Sequence, residues 1–138
     1  MKDFAKLVVY TRQELGTIDE YERYQPDEET VRRIAERLPR AHVEIVSANW
    51  CKDCRREIPR FARLAERLSE RQSGWTLELL GDDPATRERL AVKRIPTFIV
   101  RSAKDGPELG RIVESPSSGS LEADLLAIAQ RSSTEILA

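Results

Sequence analysis

The chain has 138 residues, 40% hydrophobic and 34% charged, which predicts one globular domain whose core needs no disulfide staples. Its 23 basic and 24 acidic residues leave a formal net charge of −1, which argues against a dedicated nucleic-acid or acidic-membrane surface. Two cysteines are too few for a secreted disulfide framework, and no apolar run is long enough to span a membrane.

The first 25 residues admit two readings. Phe4, Leu7 and Val8 fit a helix face, while residues 7–10 (LVVY) also pass as a short strand. That run is too short for a signal peptide, so with residue 1 as the true start the expected location is cytoplasmic. After Pro26, Val31, Ile34, Ala35 and Leu38 fall at helical spacing, behind an acidic first turn of Asp27, Glu28 and Glu29 and ahead of Pro39. Residues 42–48 (HVEIVSA) read as a strand. A helix follows the cysteines, with Ile58, Phe61, Ala62 and Ala65 on one stripe, and Gln72-Ser73-Gly74 ends it. Residues 75–80 (WTLELL) form a second strand. Asp83 before Pro84 opens a short helix to about Val92. Residues 97–100 (TFIV) are a third strand, Lys104-Asp105-Gly106 a turn, and residues 109–113 a fourth strand. Ser120 caps a last helix that turns Leu121, Leu125 and Ile128 inward. Strands joined through helices, with one hairpin near Gly106, give an α/β class with a parallel core and an antiparallel edge.

Residues 49–60 (NWCKDCRREIPR) carry both cysteines. Cys51 falls at the end of the first strand and at the mouth of the next helix. Unpaired backbone N–H groups and the positive end of the helix dipole face its sulfur there, and both favour thiolate over thiol. Cys54, three residues on, is rotated by roughly 300° and so lies on nearly the same face, one turn deeper. The geometry assigns attack to Cys51 and resolution of a mixed disulfide to Cys54.

Trp50-Cys51-Lys52-Asp53-Cys54, a proline five residues later at Pro59, and Ile95-Pro96-Thr97 before a late strand together resemble the thioredoxin family. The likeness is greatest to its branch with aspartate directly before the second cysteine. It spans residues 41–131. It implies a thioredoxin-like α/β fold with a central mixed sheet of four to five strands flanked by helices. Residues 41–131 would then be the core of a single domain over 1–138, with 1–40 a mainly helical N-terminal extension. The function it implies is thiol–disulfide oxidoreductase, reducing disulfide-containing protein substrates and recharged by an electron-donating reductase. No cofactor beyond a redox-active Cys51–Cys54 disulfide is implied, and no metal, nucleic acid or membrane.

On single residues, the resemblance makes Pro96 the cis-proline facing the cysteines, X-Pro being the bond for which cis is least unfavourable. Ile95 and Thr97 beside it would hold a substrate segment, Trp50 would form the rim, and Pro59 would kink the long helix. The chain departs from the family between its cysteines, where Lys52 favours the thiolate and Asp53 opposes it. It departs again at Ile45, which takes the place of the family's buried aspartate. That aspartate's lysine partner falls near Glu78, which makes Glu78 the candidate buried acid that moves protons for Cys54.

Other readings stand beside this one. Two packed apolar thiols are one. A metal protein is another, but zinc takes four ligands and the chain offers two cysteines and a single distant histidine, His42, expected at the surface. An iron–sulfur or zinc site would have to be shared between two chains. A thioredoxin-fold binding module without turnover is the third. Glu44 and Glu78 interrupt apolar strands, where a strand edge or an arginine partner is the default, and Arg55 and Arg56 read as exposed helix charge able to steer acidic partners.

Overall fold

Residues 7–10 are helical. In the computed structural model, which describes residues 2–71 and 73–137, they belong to α1 (Lys2–Tyr10). Leu7 is buried, and Phe4 and Val8 pack against the core beside it, the i, i+3, i+4 stripe of an amphipathic helix. A π-helical turn (Thr11–Leu15) follows and ends at Gly16 in the left-handed region. Then come α2 (Ile18–Arg23), α3 (Glu28–Arg37), β1 (His42–Ser47), α4 (Lys52–Glu70), β2 (Thr76–Gly81), α5 (Pro84–Leu90), β3 (Thr97–Arg101), β4 (Glu108–Val113) and α6 (Leu121–Leu137).

Caps fix the helix starts. Asp27 is the N-cap of α3 rather than part of its first turn, and accepts from Thr30 N at 3.0 Å. Asp83 does the same for α5, accepting from Thr86 N at 2.9 Å ahead of Pro84 at the first helical position. Helix α5 stops at Leu90, two residues early, because Ala91 turns left-handed at φ 54°. Ser120 Oγ accepts from Ala123 N at 3.2 Å and caps α6, whose Leu121, Leu125 and Ile128 are buried. Gln72, expected among the terminators of α4, lies outside the described residues.

The four strands form one mixed sheet in the order β2-β1-β3-β4. Strand β1 runs parallel to β2 and antiparallel to β3, and β3 pairs antiparallel with β4. This is the architecture of a thioredoxin-like α/β fold. All six residues of β1 are buried, as expected of a central strand covered on both faces. His42 is therefore not at the surface: it is 5% exposed, with Nδ1 bonded to Thr76 Oγ1 across the sheet. Glu44 beside it is buried and takes the Arg101 guanidinium as its partner. Trp75, just before β2, is buried and donates its indole N–H to the Leu38 carbonyl.

The N-terminal helices are joined to the rest by polar links. Asp3 Oδ2 accepts from Leu77 N at 3.0 Å, occupying a donor on the outer edge of β2. Glu122 on α6 accepts from Asp27 N at 2.8 Å and from the Tyr24 hydroxyl. No helix among the described residues is long and apolar enough to cross a membrane.

Candidate active site

Strand β1 delivers the chain to the site and α4 begins there. Cys51 is the N-cap of α4, with φ −80° and ψ 120°. Its sulfur, rather than an Asp or Ser oxygen, accepts the Cys54 backbone N–H at 3.2 Å. The sulfur thus occupies the position at which a helix N-terminus concentrates its unpaired donors and positive dipole. As a thiol, Cys51 points at the Ile95 carbonyl, 3.6 Å away.

The loop that carries this carbonyl is shaped by the cis peptide between Ile95 and Pro96. Pro96 has no N–H to compete for the sulfur. Thr97, expected in substrate contact, is 1% exposed, and its hydroxyl donates to the Arg94 carbonyl at 2.6 Å, which holds the loop.

Both cysteines are unbridged. Cys51 retains 7% exposure and Cys54 none, so an incoming disulfide reaches Cys51 first. Burial pushes the Cys54 thiol up to about 12, and its hydrogen bond to Cys51 adds to the rise. Ser47 and the Ala48 backbone work in the opposite direction, by hydrogen-bonding to the Cys54 sulfur as an anion. Trp50 stands 68% exposed beside the pair, a free aromatic surface next to a buried thiol. Lys52 is exposed, and Asp53 is paired with Arg56 at 3.1 Å.

Glu78 is not a buried acid. Its side chain is 53% exposed and lies 3.6 Å from His42 Nε2. Pairing sets Glu78 opposite Glu44, and Leu79 opposite Ile45. Alternation along a strand then puts Glu78 on the opposite face of the sheet from Ile45 and Ser47. On α4 itself the buried acidic residue is Glu57, 2% exposed and one helical turn beyond Cys54. Its Oε2 meets Arg56 Nε at 2.5 Å, and its Oε1 has no partner. Sequence reasoning missed it because it reads as one more charge on an Arg- and Glu-rich helix. Tyr10 was missed as well: its hydroxyl lies 3.0 Å from Ser47 Oγ, and an unassigned N-terminal segment gave no hint of that.

As ligands, Cys51 and Cys54 supply two thiols, and no group of three or more His, Cys, Asp or Glu among the described residues could hold a metal ion. Two unbridged thiols three residues apart at the start of α4 are compatible with thiol–disulfide chemistry.

The sequence model described as thioredoxin matches residues 9–123, starting inside α1 and taking in both cysteines and Pro96. Among solved structures, an HIV epitope scaffold superposes with a TM-score of 0.67 at 23% identity, over 94% of this chain and 92% of its own. A protein of unknown function from Pseudomonas aeruginosa gives 0.62 at 19% identity, over 96% and 87%. At these identities the likeness is one of fold. No curated protein matches the chain.

Proposed function

The chain belongs to the thioredoxin family, and from that premise we propose that it is a thiol–disulfide oxidoreductase reducing protein disulfides through the Cys51/Cys54 couple. The observation that carries the reading is the division of labour at the N-terminus of α4: the Cys51 sulfur, at the helix mouth, receives the Cys54 amide at 3.2 Å, and the Cys54 thiol three residues on is fully buried.

The Cys51 thiolate attacks one sulfur of a substrate disulfide. A Cys51–substrate bond forms, the substrate S–S bond breaks, and one substrate thiolate leaves. Cys54 then attacks Cys51, the mixed disulfide breaks, and the second substrate thiolate leaves as Cys51–Cys54 closes. A reductase with its own dithiol returns two electrons and restores the pair. Trp50 and the loop at Ile95 and Pro96 are the surfaces against which the substrate segment lies. In a cytoplasmic setting the reducing pool favours this direction.

The test is turnover of a protein disulfide such as insulin, with dithiothreitol as the electron source. Catalysis above background is expected from the parent protein, with loss in Cys51→Ser. Cys54→Ser should accumulate a covalent adduct that excess reductant dissolves. A parent rate equal to that of Cys51→Ser, with no adduct in Cys54→Ser, would reject the activity. Retention of a partner by Cys51→Ser under those conditions would instead support a binding module on the same fold.

A further inference from the structure

Two segments meet where the Cys51 sulfur lies 3.6 Å from the Ile95 carbonyl: residues 49–56 around the start of α4, and residues 91–97 leading into β3. Together they carry five basic residues and one acidic residue, although the whole chain has a formal net charge of −1. The acidic one, Asp53, is held by Arg56 at 3.1 Å. Arg55 donates its Nε–H to the Asn49 carbonyl at 3.1 Å, a bond that leaves its charge uncompensated. Lys52 and Lys93 are exposed. Among the described residues, none of Lys52, Arg55 and Lys93 has a carboxylate partner.

A cleft of about 300 Å³ opens beside the cis-proline loop, lined by Ala91, Lys93, Arg94, Thr97, Arg111 and Val113. Every charged group in that lining is basic. Two of the three cations are engaged by the chain itself. Arg111 holds Glu108 through two bonds of 2.7 Å and donates to the Leu90 and Ala91 carbonyls at 3.1 Å. Arg94, with its side chain 72% exposed, has Glu114 at 3.4 Å. Glu114 is fixed there by its backbone N–H, which donates to the Pro96 carbonyl at 2.7 Å. Lys93 is the cation left for a partner, and Val113, 41% exposed, gives the cleft an apolar wall beside it.

We propose that this cleft selects substrate proteins whose disulfide lies in an acidic segment, with a carboxylate of that segment seated on Lys93. The inference rests on the redox reading above and adds the substrate class to it. Charge complementarity argues for this occupant. Uncompensated cations stand on both segments that meet at the reactive sulfur, and a cleft lined by one sign of charge raises the local concentration of the opposite sign. Glu114 shows that a carboxylate fits beside the loop, since it already sits on Arg94. An exposed pair of that kind contributes at most about 1 kcal/mol, so Glu114 competes with a substrate carboxylate without excluding it.

The probe is a pair of peptides with one internal disulfide, identical except that glutamates flanking the disulfide in one are glutamines in the other. Their reduction by excess reduced protein, quenched with acid and read by chromatography, gives a second-order rate constant for each. At low ionic strength the parent should reduce the acidic peptide about tenfold faster. The preference should shrink toward unity at about 1 M salt, where the Debye length is about 3 Å. Lys93→Gln should cut the preference about threefold, Lys93→Arg should retain it, and Glu114→Gln, which frees Arg94, should raise it. Equal parent rates for the two peptides, or a preference that Lys93→Gln leaves intact, overturns the inference alone. A rate constant that falls as protein concentration rises gives the cleft to a second copy of the chain and also overturns it. A parent that reduces neither peptide faster than Cys51→Ser overturns the redox reading and the inference with it.

Discussion

Cys54 is where burial and chemistry meet most directly. Its thiol is raised from an ordinary value of 9.0 to about 12, chiefly by burial. A group that holds its proton more tightly when folded adds stability below the unfolded value and loses it as pH climbs through the folded one. The reduced protein should therefore lose stability between pH 9 and 12 relative to Cys54→Ala. Melting midpoints of the two across that range should converge or cross, and a gap independent of pH would contradict it. The cysteines themselves were plain in the sequence, because three residues on a helix return a side chain to nearly the same face whatever surrounds it. The acid assigned to assist them was not. Glu78 follows from matching strands by family register, and a single step of strand parity sends it to the wrong face.

At the scale of elements, local signals did most of the work. Asp83 before Pro84 is legible because a cap and a first-turn proline act within four residues, and the structure sets the cap bond at 2.9 Å. Asp83→Ala should cost about 1 kcal/mol in urea unfolding, while Asp83→Asn should cost much less; equal losses would argue that charge rather than capping matters. Helix α4 continues through Pro59, where the Arg55 carbonyl forfeits its usual helical donor. The turn at 104–106 was equally readable. Asp105 sits at φ 64°, and a Cβ on Gly106 would meet Ser102 Oγ at 2.6 Å. Residues 7–10 defeated local reading. Leu-Val-Val-Tyr suits either geometry, and what selects the helix is the surface available to Leu7, which Ile45 and Leu77 supply from far along the chain.

Across the whole molecule, α1 is part of the core. Leu7 is 2% exposed, Asp3 satisfies an edge donor of β2, and the family match begins within the same helix. Leu7→Ala should lower the unfolding free energy by about 2–4 kcal/mol, as expected for a buried leucine truncated where neighbours relax only in part. A loss below about 0.5 kcal/mol would make α1 peripheral. The same packing carries Tyr10 to Ser47, thirty-seven residues along the chain. By itself the sequence determined the thiol pair, the helix that starts on it, the hairpin and the α/β class, since each depends on spacing within a few residues. Only the tertiary structure decided that His42 is buried, that Glu78 lies half-exposed beside it, that Thr97 turns inward and that a tyrosine from the first helix bonds Ser47 at the end of β1. Those outcomes depend on which face of the sheet a residue occupies and on what covers it, and both are set by partners distant in the chain.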